Sequence, residues 1–303
     1  MKNNSFFAYF PLALATLCWG GNVVIGRAVR GDLPPLGLSF WRWLFCCLIL
    51  LFFTAPKLKQ NLPVIKEHWK LLLAMAATGI SAFNPLQYQA LHSTTAINTT
   101  LILATCPAIM ALLSMIILKE RIGLAQIAGI VVSFVGVAIV ITSGDLSKLA
   151  SLHFSMGDVW MICAAIVWAL YSITVKMRPP ALDPLVMLMV ITGVGALILL
   201  PLYIWETYTY QAVTITPTNV AAIIYVTLIA SLLAYVSWNK GVGMIGPSKA
   251  GVTIHLMPVW VAILAYFFLG ERLQSYHFLG IAFIALGIVL NSRRPNLRQH
   301  GSA

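Results

Sequence analysis

The groups in this chain that could do chemistry lie mostly in apolar surroundings, and that narrows what the chemistry is. Arg42 stands about eight residues into a hydrophobic run. A charge there costs at least about 2.5 kcal/mol on insertion scales, so it should face protein or water. It can anchor a carboxylate through bidentate hydrogen bonds, or tie helix ends together. His255 precedes Pro258 by three residues. An imidazole can titrate near neutral pH, so His255 is either a proton carrier or a satisfied core histidine. Amides and aromatic groups complete the set: Trp19 and Asn22; Asn84-Pro85, then Gln87, Tyr88 and Gln89; Asn98; Trp168 and Tyr171; Tyr235, Trp238 and Asn239. Inside apolar helices such groups either glue helices together or line a cavity. An apolar pocket with a few placed polar groups suits an amino acid or a similar solute.

What is missing narrows the chemistry further. The eight acidic residues are Asp32, Glu67, Glu120, Asp145, Asp158, Asp183, Glu206 and Glu271, all expected at or beyond the ends of apolar runs. No mid-membrane carboxylate is therefore expected to relay protons or to pair for catalysis. Neither HExxH, nor a Walker loop, nor a nucleophile elbow occurs. The five cysteines lack CxxC spacing, so neither zinc nor a disulfide framework is indicated. No enzyme activity, cofactor or metal is expected. Gly241, Gly243 and Gly246 match G-x-G-x-x-G, but a dinucleotide site needs a strand before it. Here they join two apolar runs and read as a turn.

The elements that must position these residues are membrane helices. Sixty per cent of the 303 residues are hydrophobic and 9% are charged, against roughly 25% charged in soluble domains. The net charge of +11 could suggest nucleic acid. The basic residues fall between apolar segments, where positive charge orients membrane helices, so the bilayer is the expected partner and nucleic acid is not. Ten runs long enough to span are read at about 6–29, 34–55, 70–91, 95–118, 122–142, 157–177, 184–205, 218–239, 248–269 and 274–291. The first is too long for a signal-peptide core and lacks a small-x-small site. With the N-terminus inside, 14 Lys and Arg face the cytoplasm and four face outward. Both termini are expected to be cytoplasmic.

The chain also repeats itself. Pro107–Val140 aligns without a gap onto Pro258–Asn291 at an offset of 151, with nine of 34 positions identical. These include Pro107/Pro258, Glu120/Glu271, Arg121/Arg272, Gly129/Gly280 and Gly136/Gly287. Five spans per half is an odd number, so the second half enters the membrane inverted. That arrangement is common in secondary transporters. The halves are expected at 1–145 and 157–303, joined by a loop at 146–156. Prolines at Pro85, Pro107 and Pro258 are expected to kink their helices. The Glu-Arg pairs read as structural, with Glu120 and Glu271 capping the following helix or pairing with Arg121 and Arg272, or as gates.

Trp19-Gly20-Gly21-Asn22, Trp41-Arg42-Trp43, Pro107 with Lys119-Glu120-Arg121 and Gly129, Gly157-Asp158, Trp168-Ala169-Leu170-Tyr171, and Pro258 with Gly270-Glu271-Arg272 and Gly280 occur in this order. In this the chain resembles the drug/metabolite transporter superfamily, in its ten-helix EamA-like branch. The resemblance covers nearly the whole chain. It implies an all-α integral membrane fold of ten helices as an inverted repeat. It implies a central cavity lined mainly by spans 1, 3, 4, 6, 8 and 9, and export or exchange of small metabolites, often amino acids. It also implies an Arg at position 42 in members of differing cargo, which favours the structural reading of Arg42. The expectation is an inner-membrane carrier for aromatic or neutral amino acids, working by alternating access as a monomer. The alternatives are a nucleotide-sugar or phosphorylated-sugar exchanger, or a drug efflux carrier on the same fold.

Overall fold

The computed structural model describes residues 7–29, 31–94, 96–150, 154–269 and 274–292. Among them the secondary structure is all helical. We number the helical stretches α1 (Tyr9–Ala28), α2 (Pro35–Glu67), α3 (69–93), α4 (96–117), α5 (Leu124–Ile141), α6 (Met156–Lys176), α7 (Pro184–Thr209), α8 (Pro217–Ile245), α9 (247–269) and α10 (Ser275–Ser292). Among the described residues eight of these, α2 and α4 to α10, are long and apolar enough to cross a membrane. In lipid every backbone N–H and C=O must be satisfied within the segment, which is why the apolar runs form helices.

The sequence marks the helix starts clearly. Pro35, Pro184, Pro217 and Pro247 each stand at the first helical position, where a missing N–H costs nothing. Asp183 accepts from the N–H groups of Leu185 and Val186. Thr216 accepts from that of Asn219. Ser155 and Asp158 form a reciprocal capping box on α6.

The ends are less clear. The expected end of the second span near residue 55 is wrong for the helix, which runs on to Glu67 through Pro56 and Pro63. Lys57, Lys59 and Lys66 therefore lie on a helix, not in a loop. Hydropathy marks where a segment leaves lipid, and Leu, Lys and Gln continue a helix readily beyond that point. For the same reason α7 extends to Thr209, which places Glu206 inside it rather than beyond its end.

Two helix pairs form the frame. α5 crosses α10 where Gly129 meets Gly287 and Gly136 meets Gly280. A methyl group added at any of the four would come within 2.8 Å of backbone on the other helix. α2 packs along α7. At one end Glu206 of α7 accepts from the N–H groups of Leu36 and Gly37 at 3.0 and 2.7 Å. At the other, Asn61 of α2 accepts from the N–H of Asp183 at 2.9 Å. Other contacts cross over: α3 and α4 lie on α6, while α8 and α9 lie on α1.

Candidate substrate site

Four backbone irregularities surround the centre. α3 widens into a π turn over Ala76–Ala82, and α8 does the same over Val226–Leu233. α4 is interrupted at residues 104–105, between Ala96–Leu103 and Cys106–Ile117. α9 tightens to a 3-10 stretch over Val252–Leu256. Pro107 and Pro258 follow these last two irregularities. Pro85 follows the π turn of α3.

An aromatic cluster fills the space between them. Trp19 lies edge-on to Trp168 at 5.0 Å and close to Trp238 at 5.3 Å and Tyr235 at 5.9 Å. Tyr171 touches Trp168 and Tyr235. Four of the cluster's polar edges have partners: Trp19 Nε1 donates to Ala230 O, Tyr235 to Gly79 O, Tyr171 to Asn239 Oδ1 and Trp238 Nε1 to Ser172 Oγ. Gly79 is glycine for a reason of space, because a Cβ there would stand 2.2 Å from the Tyr171 ring.

Beside the cluster is a narrow cleft lined by Trp19, Asn22, Asn84, Gln87, Trp168 and Tyr235, with Leu103, Ile254 and Met257 among its apolar walls. Its free volume is about 20 Å³, room for a water rather than a solute. Arg42 stands behind it, 1% exposed. Its Nε donates to Ser231 Oγ at 2.8 Å, and its Nη1 donates to Asn84 Oδ1 and Tyr88 OH, both at 2.9 Å. Tyr88 then donates to Asn22 Oδ1 at 3.2 Å. The guanidinium also lies 4.9 Å from the Trp43 ring centroid. Among the described residues no carboxylate comes within ion-pair distance of it.

Of the residues singled out from sequence, Trp19, Asn22, Arg42, Asn84, Tyr88, Trp168, Tyr171, Tyr235, Trp238 and Asn239 fall into this one connected region. Asn98 lies elsewhere: its Nδ2 donates to Asp158 Oδ2 at 3.2 Å, alongside Thr94, whose hydroxyl donates to Oδ1 at 2.5 Å. His255 lies at the interruption of α4. Its Nε2 donates to Ala104 O at 2.8 Å, and its Nδ1 meets Ser133 Oγ at 2.7 Å. Ala108 N–H has turned to Thr105 O, so the imidazole takes up a carbonyl at the break. Glu120 reaches the start of α9 in the other half, where Ser248 donates to it at 3.3 Å. It does not cap α5, whose N-cap is Gly123. Arg121 is exposed. Glu271 and Arg272 lie outside the described residues. Sequence reading missed Ser231, Phe83 and Met257. Ser231 has a signal: it stands 150 residues after Ser81, one residue short of the 151-residue offset of the repeat.

A second space of about 590 Å³ opens between α2, α7 and α8, walled by Trp41, Phe45, Tyr203, Ile224 and Leu228. Its wall is almost wholly apolar, which suits lipid better than polar cargo.

The pattern of the EamA-like transporter family matches residues 6–142 and again 155–293. The chain belongs to this family. It is 26% identical over 285 residues to an uncharacterized transporter of Archaeoglobus fulgidus, covering 94% of this chain and 97% of that protein. It is 27% identical to a probable amino-acid metabolite efflux pump of Escherichia coli, covering 92% of each. It is 25% identical to a probable terminal-alkyne amino-acid exporter of Streptantibioticus cattleyicolor, covering 95% of this chain and 94% of that one. A solved crystal structure superposes with a TM-score of 0.74 at 16% identity, over 93% of this chain and 95% of that one. That likeness establishes the fold. Membership of a transporter family accounts for the multi-pass membrane character.

Proposed function

We propose that the protein is a ten-helix inverted-repeat carrier that exports or exchanges small metabolites, foremost aromatic or neutral amino acids, by alternating access. The halves are residues 1–145 and 157–303, linked by 146–156. The membrane is the cell's inner membrane, with both termini cytoplasmic.

The observation that carries this reading is the placing of backbone irregularities. The two π turns start 150 residues apart, and the interruption at 104–105 faces the 3-10 stretch containing His255, 151 residues after Ala104. Deformable points at corresponding places in two halves suit a scaffold whose halves exchange conformations around a shared site. The packing supports the same reading. α3 and α4 on α6 has its counterpart in α8 and α9 on α1, while α5–α10 and α2–α7 each pair with their own equivalent. Contacts near the helix ends support the topology. Lys57–Asp183 and Glu120–Ser248 join positions expected on the inner side, whereas Thr94–Asp158 and Leu36–Glu206 join positions expected on the outer side.

The nearly closed cleft is then an occluded form that must widen to admit cargo. Its walls suit an apolar body with a small polar head. A phosphorylated cargo would need several cations. Among the described residues Arg42 is the cation behind the cleft, and Lys240 is exposed. His255 acts as a tie in this reading, since both ring nitrogens are engaged, and the substrate gradient drives exchange.

Counterflow in proteoliposomes preloaded with mixed amino acids tests the proposal. Saturable exchange of radiolabelled phenylalanine, threonine or alanine is expected. Its response to internal pH should be the same in His255→Ala as in wild type. No exchange of any amino acid by folded, inserted protein would overturn the cargo assignment. A pH response lost in His255→Ala would overturn the role given to that residue.

A further inference from the structure

Arg42 fixes the polarity of the cleft. A guanidinium donates and never accepts, so Asn84 must turn Oδ1 toward it. That leaves the Asn84 Nδ2, on a residue 2% exposed, without a well-formed hydrogen bond, its polar neighbour being the Tyr235 hydroxyl, which also lines the cleft and gives its own proton to Gly79 O. Tyr88 OH accepts from Arg42, so its own proton goes on to Asn22 Oδ1. Asn22 is thereby left with its Nδ2 as the free end of the amide. Both asparagines line the cleft. One buried cation thus turns two neutral amides into donors on the wall of one space.

Among the described residues the same cation has no counter-ion. A charge out of water and unpaired is costly, and an unmade bond to a buried donor adds to the cost. Hydrogen bonds to Ser231, Asn84 and Tyr88 hold the guanidinium in place but supply no negative charge.

Resting on the carrier reading above, we propose that the cleft binds the carboxylate of its substrate. Asn22 and Asn84 donate to it, Arg42 supplies the opposite charge from behind, and Trp19, Trp168 and Tyr235 take the apolar body. Arg42 is a positioning residue and a fixed counter-charge. The substrate class is a small monocarboxylate with an apolar side chain. The carboxylate, rather than an amino group, is the obligatory recognition element.

The test uses the full-length protein in detergent and four probes: phenylalanine, 3-phenylpropionate, phenylalaninamide and phenethylamine. Thermal stabilisation is titrated for each, and counterflow of phenylalanine is run beside it. Wild type should respond to the two carboxylates at concentrations at least tenfold below those needed for the amide and the amine, as roughly 1.4 kcal/mol per decade requires. Arg42→Gln should lose that preference. Asn84→Asp is the variant whose fold is protected, because it gives Arg42 an internal counter-ion. It should remain folded and lose carboxylate binding by at least about tenfold. Equal response of wild type to acid and amide would overturn the proposal, as would a folded Asn84→Asp that binds 3-phenylpropionate as wild type does. Carboxylate binding without phenylalanine counterflow would sink the cargo assignment and leave this inference standing. Counterflow with no preference for the acid would do the reverse.

Discussion

Ser81 and Ser231 each donate to the carbonyl five residues earlier, Ala76 O at 3.2 Å and Val226 O at 2.7 Å, inside π turns 150 residues apart. There the likeness ends. Ser81 also donates to Gly195 O of α7 at 3.0 Å, a neutral backbone contact. Ser231 instead receives Arg42 Nε from α2. The first turn is followed by Pro85, whereas the corresponding stretch after the second has no proline until Pro247. The comparison separates two things. The deformable backbone belongs to both halves and does not depend on proline. The charge that orients the cleft comes from the first half, and the second half only holds it in place.

The largest effect should come where the halves are alike. Gly136 and Gly280 meet at the α5–α10 crossing, where an added Cβ would lie 2.7 and 2.8 Å from the opposing carbonyl. Backbone cannot yield as a side-chain tip does. Gly136→Val and Gly280→Val should each cost about 3 kcal/mol, at the upper end of overpacking effects. Because they share one contact, the two losses should match within about 0.5 kcal/mol. Gly243 has nothing within 4 Å, so Gly243→Val should stay within about 0.5 kcal/mol of wild type. Thermal unfolding in detergent measures all three. Unequal losses at 136 and 280 would break the equivalence of the halves.

The next effect should come where the halves differ. Ser231→Ala removes a hydrogen bond to a charged donor, worth about 1.5–3 kcal/mol. If Arg42 orients the cleft, counterflow kcat/KM should fall at least about tenfold. Ser81→Ala removes only a neutral contact, worth about 1 kcal/mol, and should change kcat/KM less than about threefold. Equal effects at the two serines would mean that the turns matter as hinges alone, with no special role for the arginine.

Pro85→Ala probes the backbone half of the comparison. If the turn of α3 resembles that of α8, it should persist without proline, with a stability change below about 1 kcal/mol. Hydrogen exchange at residues 76–82 should stay as fast as at 226–233, since a wide turn exposes its bonds more than an α-helix does. Slow exchange at 76–82 in the variant would mean that proline, and not the scaffold, makes the first turn.

These contrasts also explain how far the sequence could be read. The apolar runs, the prolines at helix starts and the 151-residue repeat are legible because lipid and backbone chemistry leave few alternatives. The aromatic and amide cluster was legible as a set, because polar groups in apolar helices need a reason to be there. What was hidden depends on facing direction. Asn98 reads as one more cavity amide, yet it turns to Asp158, because a membrane helix is apolar on its core and lipid faces alike and gives no period to follow. Ser231 sits in an apolar run and shows its role only once Arg42 arrives from another helix. Glu120 was expected to cap the helix after it, but the segment following α4 meets the start of α9 and it serves α9 instead. Helix ends failed at α2 and α7, where amphipathic sequence carries the helix past the lipid.

The smallest effect contrasts the two ends of the α2–α7 pair. Glu206 closes one end from inside its helix, while Asp183 closes the other from the loop, with Lys57 beside it at 2.8 Å. Partial burial pushes the Asp183 carboxyl up, but the Lys57 ammonium and the N–H groups of Leu185 and Val186 outweigh it and hold the carboxyl below its usual value. A depressed folded value stabilises the protein above the unfolded value, near 3.9. That contribution is lost as pH falls through the folded value. Lys57 is 54% exposed, so the ion pair is worth at most about 0.5 kcal/mol after screening. Asn caps a helix about as well as Asp, so Asp183→Asn removes the charge and keeps the cap. Its cost should therefore be about 0.5 kcal/mol at pH 7, shrink in 1 M salt as the Debye length falls to about 3 Å, and vanish in acid once Asp183 itself is protonated. A cost that persists in acid would mean that the residue acts through its shape in the cap rather than through its charge.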